Sequence, residues 1–252
     1  MPKILADLTK GILMSEPWGK DNKILQTYIY TNFEIAYMQK KVFEDKEKGI
    51  AFWKIGSLVT MSAMPVWFIY KINDKPDCQF WNFDRFYYGN NSPAGNKTAD
   101  DYQIEYETPA FYSSWLIELT PETINHIIKD NSSRLKAIFG DKLSENEHML
   151  LRTIFGELEL QKRKSDVFME WYDGKYQFLM PLYFTDPDNV DLTATLDPQE
   201  ATQSYKVRTL LYPEYAYPFV RSVIKNRSVL TGWMNFKDDI LNETELEDGN
   251  NF

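Results

Sequence analysis

Tyr176-Gln-Phe-Leu-Met-Pro-Leu-Tyr-Phe184, Val190-Asp-Leu-Thr-Ala-Thr-Leu196 and Tyr205-Lys-Val-Arg-Thr-Leu-Leu-Tyr212 follow one another across two short connections. Each run is rich in aromatic and β-branched residues, which suit a pleated, half-buried surface. The connections Asp186-Pro-Asp-Asn189 and Asp197-Pro-Gln-Glu200 read as turns, so the three runs form an antiparallel meander. Upstream, Val167-Phe-Met-Glu-Trp-Tyr172 meets Lys175 across Asp173-Gly174, a pair that tolerates the positive φ of a two-residue hairpin. Four successive strands result. Pro213 then opens a helical segment carrying Arg221, since a missing N–H costs nothing in the first helical turn.

Working outward, the N-terminal third changes period. Leu25, Ile29, Phe33 and Ala36 or Tyr37 recur at steps of three and four, the face of a helix ending near Glu44-Asp-Lys-Glu-Lys-Gly49. Ile50–Val59, Val66–Lys71 and Gln79–Phe86 are then three strands. Gly89-Asn-Asn-Ser-Pro-Ala-Gly-Asn-Lys97 is a loop whose spacing is not that of a phosphate loop. Helices return at Thr120-Pro-Glu-Thr123, where the threonine caps and the proline takes the first helical position. A capping box is expected at Ser144-Glu-Asn-Glu147, followed by a Leu150, Ile154, Leu158 stripe running to Lys162-Arg-Lys164. Segregated strands and helices of this kind predict an α+β fold: antiparallel sheets with helices, and a four-stranded C-terminal meander followed by a helix. With no repeat and no low-complexity linker, residues 1–236 are expected to form one domain and residues 237–252 an acidic, flexible tail.

Charge and composition narrow the function classes. The 252-residue chain has 28 basic and 37 acidic side chains, a net charge of -9, which disfavours a broad nonspecific nucleic-acid surface and leaves room only for a local basic groove. Cys78 stands alone, so no internal disulfide framework exists, and no apolar run beside a small-residue cleavage site opens the sequence. A cytoplasmic setting is expected. Apolar windows such as Met64–Tyr70 are far short of the roughly 20 residues needed to span a bilayer, so no membrane partner is expected.

The residues able to carry chemistry are few. One cysteine and two separated histidines match no zinc spacing, and no dinucleotide glycine motif, Walker lysine or nucleophile elbow occurs, so the sequence names no cofactor and no metal. His148 falls in a first helical turn, where a structural role is expected. His126 lies in Ile124-Asn-His-Ile-Ile-Lys-Asp-Asn-Ser-Ser-Arg134, which gathers an imidazole, a carboxylate, an amide and a guanidinium. On a helix His126 and Asp130 share a face, so the carboxylate can orient the ring for general acid–base work while Asn131 and Arg134 bind an oxyanion. A helix that simply ends in a polar turn has the same pattern. In Phe80–Tyr88, Trp81 can stack on a base; alternation places Trp81, Phe83 and Arg85 on one strand face, where a ring pair can equally be core. Arg208 on a strand, and Arg221, Lys225 and Arg227 around the last helix, are the other cations able to meet phosphate.

Taken together, Trp81-Asn-Phe83, His126 through Arg134, Met180-Pro-Leu182 with Asp191-Leu192, and Tyr205 through Trp233 resemble the bacterial domain of unknown function numbered 3825. The likeness runs from about Trp18 to Trp233 and rests on order and spacing. Two stretches depart from the pattern: Trp53-Lys-Ile-Gly56 keeps a glycine but lacks the asparagine, and Lys162–Asp166 stands where a tyrosine-centred segment is usual. The resemblance implies a single domain and, through the RNA-binding modules that accompany similar domains, RNA or nucleotide biology, including conflict with phages. The expected function is binding of RNA or a nucleotide by His126, Asn131, Arg134 and Arg221, with Trp81 as a stacking ring. A phosphoesterase or nuclease using His126, and a protein-interaction module, are the alternatives.

Overall fold

A computed structural model describes residues 2–12, 16–60, 62–73, 75, 80–93, 109–172, 175–224 and 227–234. Asp173-Gly174, Cys78, Lys225, residues 94–97 of the Gly89–Lys97 loop and the acidic tail lie outside the described residues, as do the side chains of Asp130 and Arg227. The chain divides into two compact units, residues 1–107 and 108–252.

In the first unit, helices α1 (Pro2–Gly11) and α2 (Lys23–Met38) precede an antiparallel sheet of order β1-β2-β3-β4. Its strands are β1 (Phe43–Asp45), β2 (Ile50–Val59), β3 (Pro65–Ile72) and β4 (Trp81–Tyr88). The α2 stripe is buried as its spacing requires: Leu25, Ile29 and Ala36 are inaccessible, whereas Tyr37 faces solvent. Phe33 stacks on Tyr70 at 4.1 Å and packs beside Trp53 at 5.9 Å, which fixes the helix on β2 and β3. The helix stops at Met38, and the charged run near Glu44 is not its end but part of a β1–β2 hairpin, with Phe43 opposite Phe52. Stacking of those two rings, at 4.6 Å, gives the short strand its anchor.

The second unit holds a five-stranded sheet of order β5-β9-β8-β7-β6. The expected meander is present as β6 (Phe168–Tyr172), β7 (Lys175–Leu182), β8 (Leu192–Gln199) and β9 (Ser204–Leu211), each antiparallel to the next. The short strand β5 (Leu116–Glu118) adds to β9 in parallel, opposite Ser204–Lys206. Tyr172 pairs with Lys175, so β6 and β7 are antiparallel neighbours up to their adjoining ends. The second turn also stands where expected: Asp186 accepts from the Asp188 N–H at 2.9 Å, and Asp191 accepts from the N–H groups of Phe184 and Thr185. The third differs. Asp197 and Pro198 are strand residues, Pro198 pairing with Tyr205, and the turn is Glu200–Gln203.

Helices α3 (Pro121–Asp130), α4 (Ser132–Ser144) and α5 (Glu147–Lys164) lead into this sheet, and α6 (Pro213–Val223) and α7 (Arg227–Thr231) follow it. Thr120 caps α3 by accepting from the Thr123 N–H at 3.3 Å. The cap of α5 is Asn146, which accepts from Met149 N–H at 3.2 Å; Ser144 instead ends the short helical stretch that follows a kink at Gly140 in α4. One sheet face is apolar: Phe178, Met180 and Leu182 of β7, Leu192, Ala194 and Leu196 of β8 and Val207 and Leu210 of β9 pack with Ile127, Leu135, Leu150, Ile154 and Leu158 from α3, α4 and α5. The alternate positions carry Gln177, Thr193, Thr195 and Asp197, all buried. On β8 period-two alternation thus separates apolar from polar side chains, whereas β7 places the buried Leu179 on the same face as Gln177.

Candidate functional site

On α3, Thr123 and His126 are three apart and face the same way, towards β9. The Thr123 hydroxyl donates to the Val207 carbonyl at 3.0 Å, and His126 Nε2 lies 3.0 Å from the Thr209 hydroxyl. One residue past α3, the buried Asn131 donates through Nδ2 to the His126 carbonyl at 3.4 Å and accepts from Arg134 Nη1 at 2.6 Å. The same Arg134 nitrogen donates to the Leu210 carbonyl at 2.8 Å, and its guanidinium carbon sits 4.8 Å from the Tyr212 ring and 5.5 Å from that of Tyr215. These contacts fall on Val207–Leu210, immediately beyond the segment of β9 that β5 covers. Side chains from α3 and α4 therefore take over an edge that β5 leaves, which is one way folded proteins block unwanted strand pairing.

His126, Asn131 and Arg134 thus share a seam, with the imidazole exposed and the amide buried. Arg221 is elsewhere on the second unit, two turns along α6 from Tyr215 and 1% exposed, so it is an interior cation and not an open phosphate contact. Trp81 belongs to the first unit, is 6% exposed, and packs edge-on with Phe80. Its neighbours differ from simple alternation: Phe83 pairs with Tyr70 but Arg85 pairs with Ile69, so Asp84 is a bulge residue and Arg85 leaves the Trp81–Phe83 face. His148 is exposed in the first turn of α5, as expected. Lys162 is drawn inward, donating to Glu159 at 2.8 Å and to the Trp115 carbonyl at 3.1 Å.

The other sheet face brings together charged groups that lie far apart in the sequence. Asp197 Oδ2 accepts from Lys175 Nζ at 3.1 Å and from Arg208 Nε at 3.0 Å and Nη2. Burial pushes the Asp197 carboxyl up, but the hydrogen bonds and charges of Arg208 and Lys175 outweigh it and hold the group below the usual range. On β6, Glu170 accepts from Gln177 Nε2, and burial pushes its carboxyl up to about 8 against the opposing amide bond. A second bulge bears on this face: Thr195 pairs with Thr209 and Leu196 with Val207, so Arg208 has no opposite residue. The visible signal was alternation, since Thr193, Thr195 and Asp197 interleave with Leu192, Ala194 and Leu196. An Asp-Pro pair also favours a turn, which masks the strand at Asp197-Pro198. Among the described residues no group of histidine, cysteine and carboxylate side chains could hold a metal, and no helix is long and apolar enough to cross a membrane.

Two mostly antiparallel sheets with seven helices among the described residues define an α+β protein. A family model described as "Domain of unknown function (DUF3825)" matches residues 10–228, and the chain belongs to that family. The match runs through both compact units. No curated protein and no solved structure matches the chain.

Proposed function

We propose that this protein is a cytoplasmic module that binds RNA or a nucleotide along the seam between α3, α4 and β9. The observation that supports this reading most directly is the linkage of His126, Asn131 and Arg134 by contacts to one another and to Thr209 and Leu210. His126 is the solvent-facing member, able to offer or accept a hydrogen bond at a base or phosphate, while Arg134 is anchored and flanked by the Tyr212 and Tyr215 rings. Held rings and a held guanidinium lose little freedom when a planar base approaches, which lowers the cost of association. Arg221 contributes as a buried positive charge that supports the fold near α6, and Trp81 as a core ring of the first unit.

Titration of short RNA and of mononucleotides against the wild type, His126→Ala and Arg134→Ala, followed by intrinsic fluorescence, tests the proposal. Binding weakened about tenfold or more by each substitution is expected, since a hydrogen bond to a charged group contributes about 1.5–3 kcal/mol. Absence of binding, or binding indifferent to both changes, rejects it. The contact of the exposed His126 ring with a hydroxyl also favours a second reading, in which His126 acts as general acid or base in phosphoester cleavage. Cleavage of labelled RNA that survives His126→Ala would exclude that role.

A further inference from the structure

We infer that Lys175 and Arg208, held by the carboxylate of Asp197 on the polar face of β7, β8 and β9, form a subsite for the phosphate of a nucleotide or of an RNA backbone. Both cations bind the same oxygen, Oδ2, of one aspartate. Two positive groups thus meet a single negative one, and a net positive charge is left at this point of a chain whose total is -9. The distribution of burial aims that charge outward: the Asp197 side chain is 7% exposed, whereas those of Lys175 and Arg208 are each 47% exposed. A buried carboxylate at the base of the cluster fixes the two cations without covering them.

Donor capacity points the same way. A guanidinium carries five N–H groups and an ammonium three. Arg208 directs its Nε and Nη2 edge at Asp197 and Lys175 gives one bond, so Nη1 of the arginine and two protons of the lysine remain to meet an oxyanion. Charge-assisted bonds of this kind are the strong class, and a guanidinium fork matches phosphate geometry. The placement of Arg208 has its own cause. It is the extra residue of the bulge between the Thr195–Thr209 and Leu196–Val207 pairs, and a bulge re-aims a side chain that strict alternation would send elsewhere. On the same sheet face, burial pushes the Glu170 carboxyl up to about 8, so it adds little negative charge at neutral pH.

This inference concerns other residues than the α3–β9 seam, and the two can fail separately. Inorganic pyrophosphate, which has neither base nor ribose, is titrated calorimetrically into the full chain at low and moderate salt, with Lys175→Met and Arg208→Gln as variants. Lys175→Met leaves Asp197 paired with Arg208, and circular dichroism of both variants checks that they fold. Binding by the wild type, weakened about tenfold or more by each substitution and weakened again by salt, is the expected result. No heat at millimolar pyrophosphate, or affinity unchanged in both variants, overturns the inference. Where pyrophosphate binds, displacement by a mononucleotide assigns the site to free nucleotide, and displacement by short RNA alone assigns it to a nucleic-acid backbone. Loss of RNA binding in Arg134→Ala with no pyrophosphate binding would uphold the seam and reject the subsite.

Discussion

Arg134 on α4 donates to the main-chain carbonyl of Leu210 on β9 at 2.8 Å, joining a helix to a strand edge that β5 does not reach. The same nitrogen serves Asn131 at 2.6 Å, so one guanidinium satisfies a strand carbonyl and a buried amide oxygen. Truncation leaves both acceptors without that donor. Arg134→Ala is expected to lower stability by about 1.5–3 kcal/mol, seen in urea unfolding as a lower midpoint with an unchanged slope. Arg134→Lys, which can keep one donor but lacks the planar fork, should recover part of the loss.

Glu170 makes stability depend on pH in an unusual direction. Its carboxyl keeps a proton up to about 8 when folded, against an ordinary value of 4.5, so between these limits the folded chain binds more protons than the unfolded one. Stability therefore falls as pH rises through that window, by at most about 1.4 kcal/mol per pH unit from this group. Glu170→Gln keeps an oxygen able to accept from Gln177 Nε2 and cannot ionise. The variant is expected to gain on the wild type steadily from about pH 5 to pH 8 in thermal scans; parallel curves would show that Glu170 titrates normally.

Much of the architecture is legible in the sequence. Alternation and turn chemistry located all four meander strands, and the three- and four-residue steps of Leu25, Ile29 and Ala36 located the buried face of α2. Features set by non-local pairing could not be read. The strand at Phe43–Asp45 depends on a partner across the hairpin, β5 depends on Ser204–Lys206 nearly ninety positions on, and the two bulges depend on the register of neighbouring strands. The same limit applied to candidate sites. His126, Asn131 and Arg134 are close in sequence and were legible as a group, whereas Lys175, Asp197 and Arg208 converge only through cross-strand pairing.

Gly232 follows α7, and its carbonyl accepts from the Val190 N–H at 3.0 Å. A Cβ placed there would stand 2.6 Å from the Asp188 carbonyl oxygen, a backbone atom that cannot rotate aside. Gly232→Ala is expected to destabilise the second unit by about 1–3 kcal/mol, the usual cost of forcing extra volume into a packed site. For a unit of this size that corresponds to a fall in melting temperature of several degrees, roughly 2–4 °C per kcal/mol. A melting temperature equal to that of the wild type would mean that the Asp188 loop yields without cost.

Asp197 carries the opposite pH signature from Glu170, and its two partners make it separable. Because its carboxyl is held below 3.8 when folded, its contribution to stability is present above that value and is lost as pH falls through the lower folded value. Asp197→Asn should therefore lose stability at neutral pH and show a shallower acid transition than the wild type. The partners are coupled through one oxygen, so their effects should not add. Lys175→Met alone leaves Arg208 on the carboxylate and is expected to cost under about 1 kcal/mol, as for other half-exposed pairs. Arg208→Gln alone removes the guanidinium's two bonds and should cost more. With both removed, Asp197 stands buried without a cation, and the double variant is expected to lose more than the sum of the single ones by about 0.5–3 kcal/mol. Strict additivity in urea unfolding of the four proteins would show that the two cations act independently and that Asp197 does not hold them as a unit.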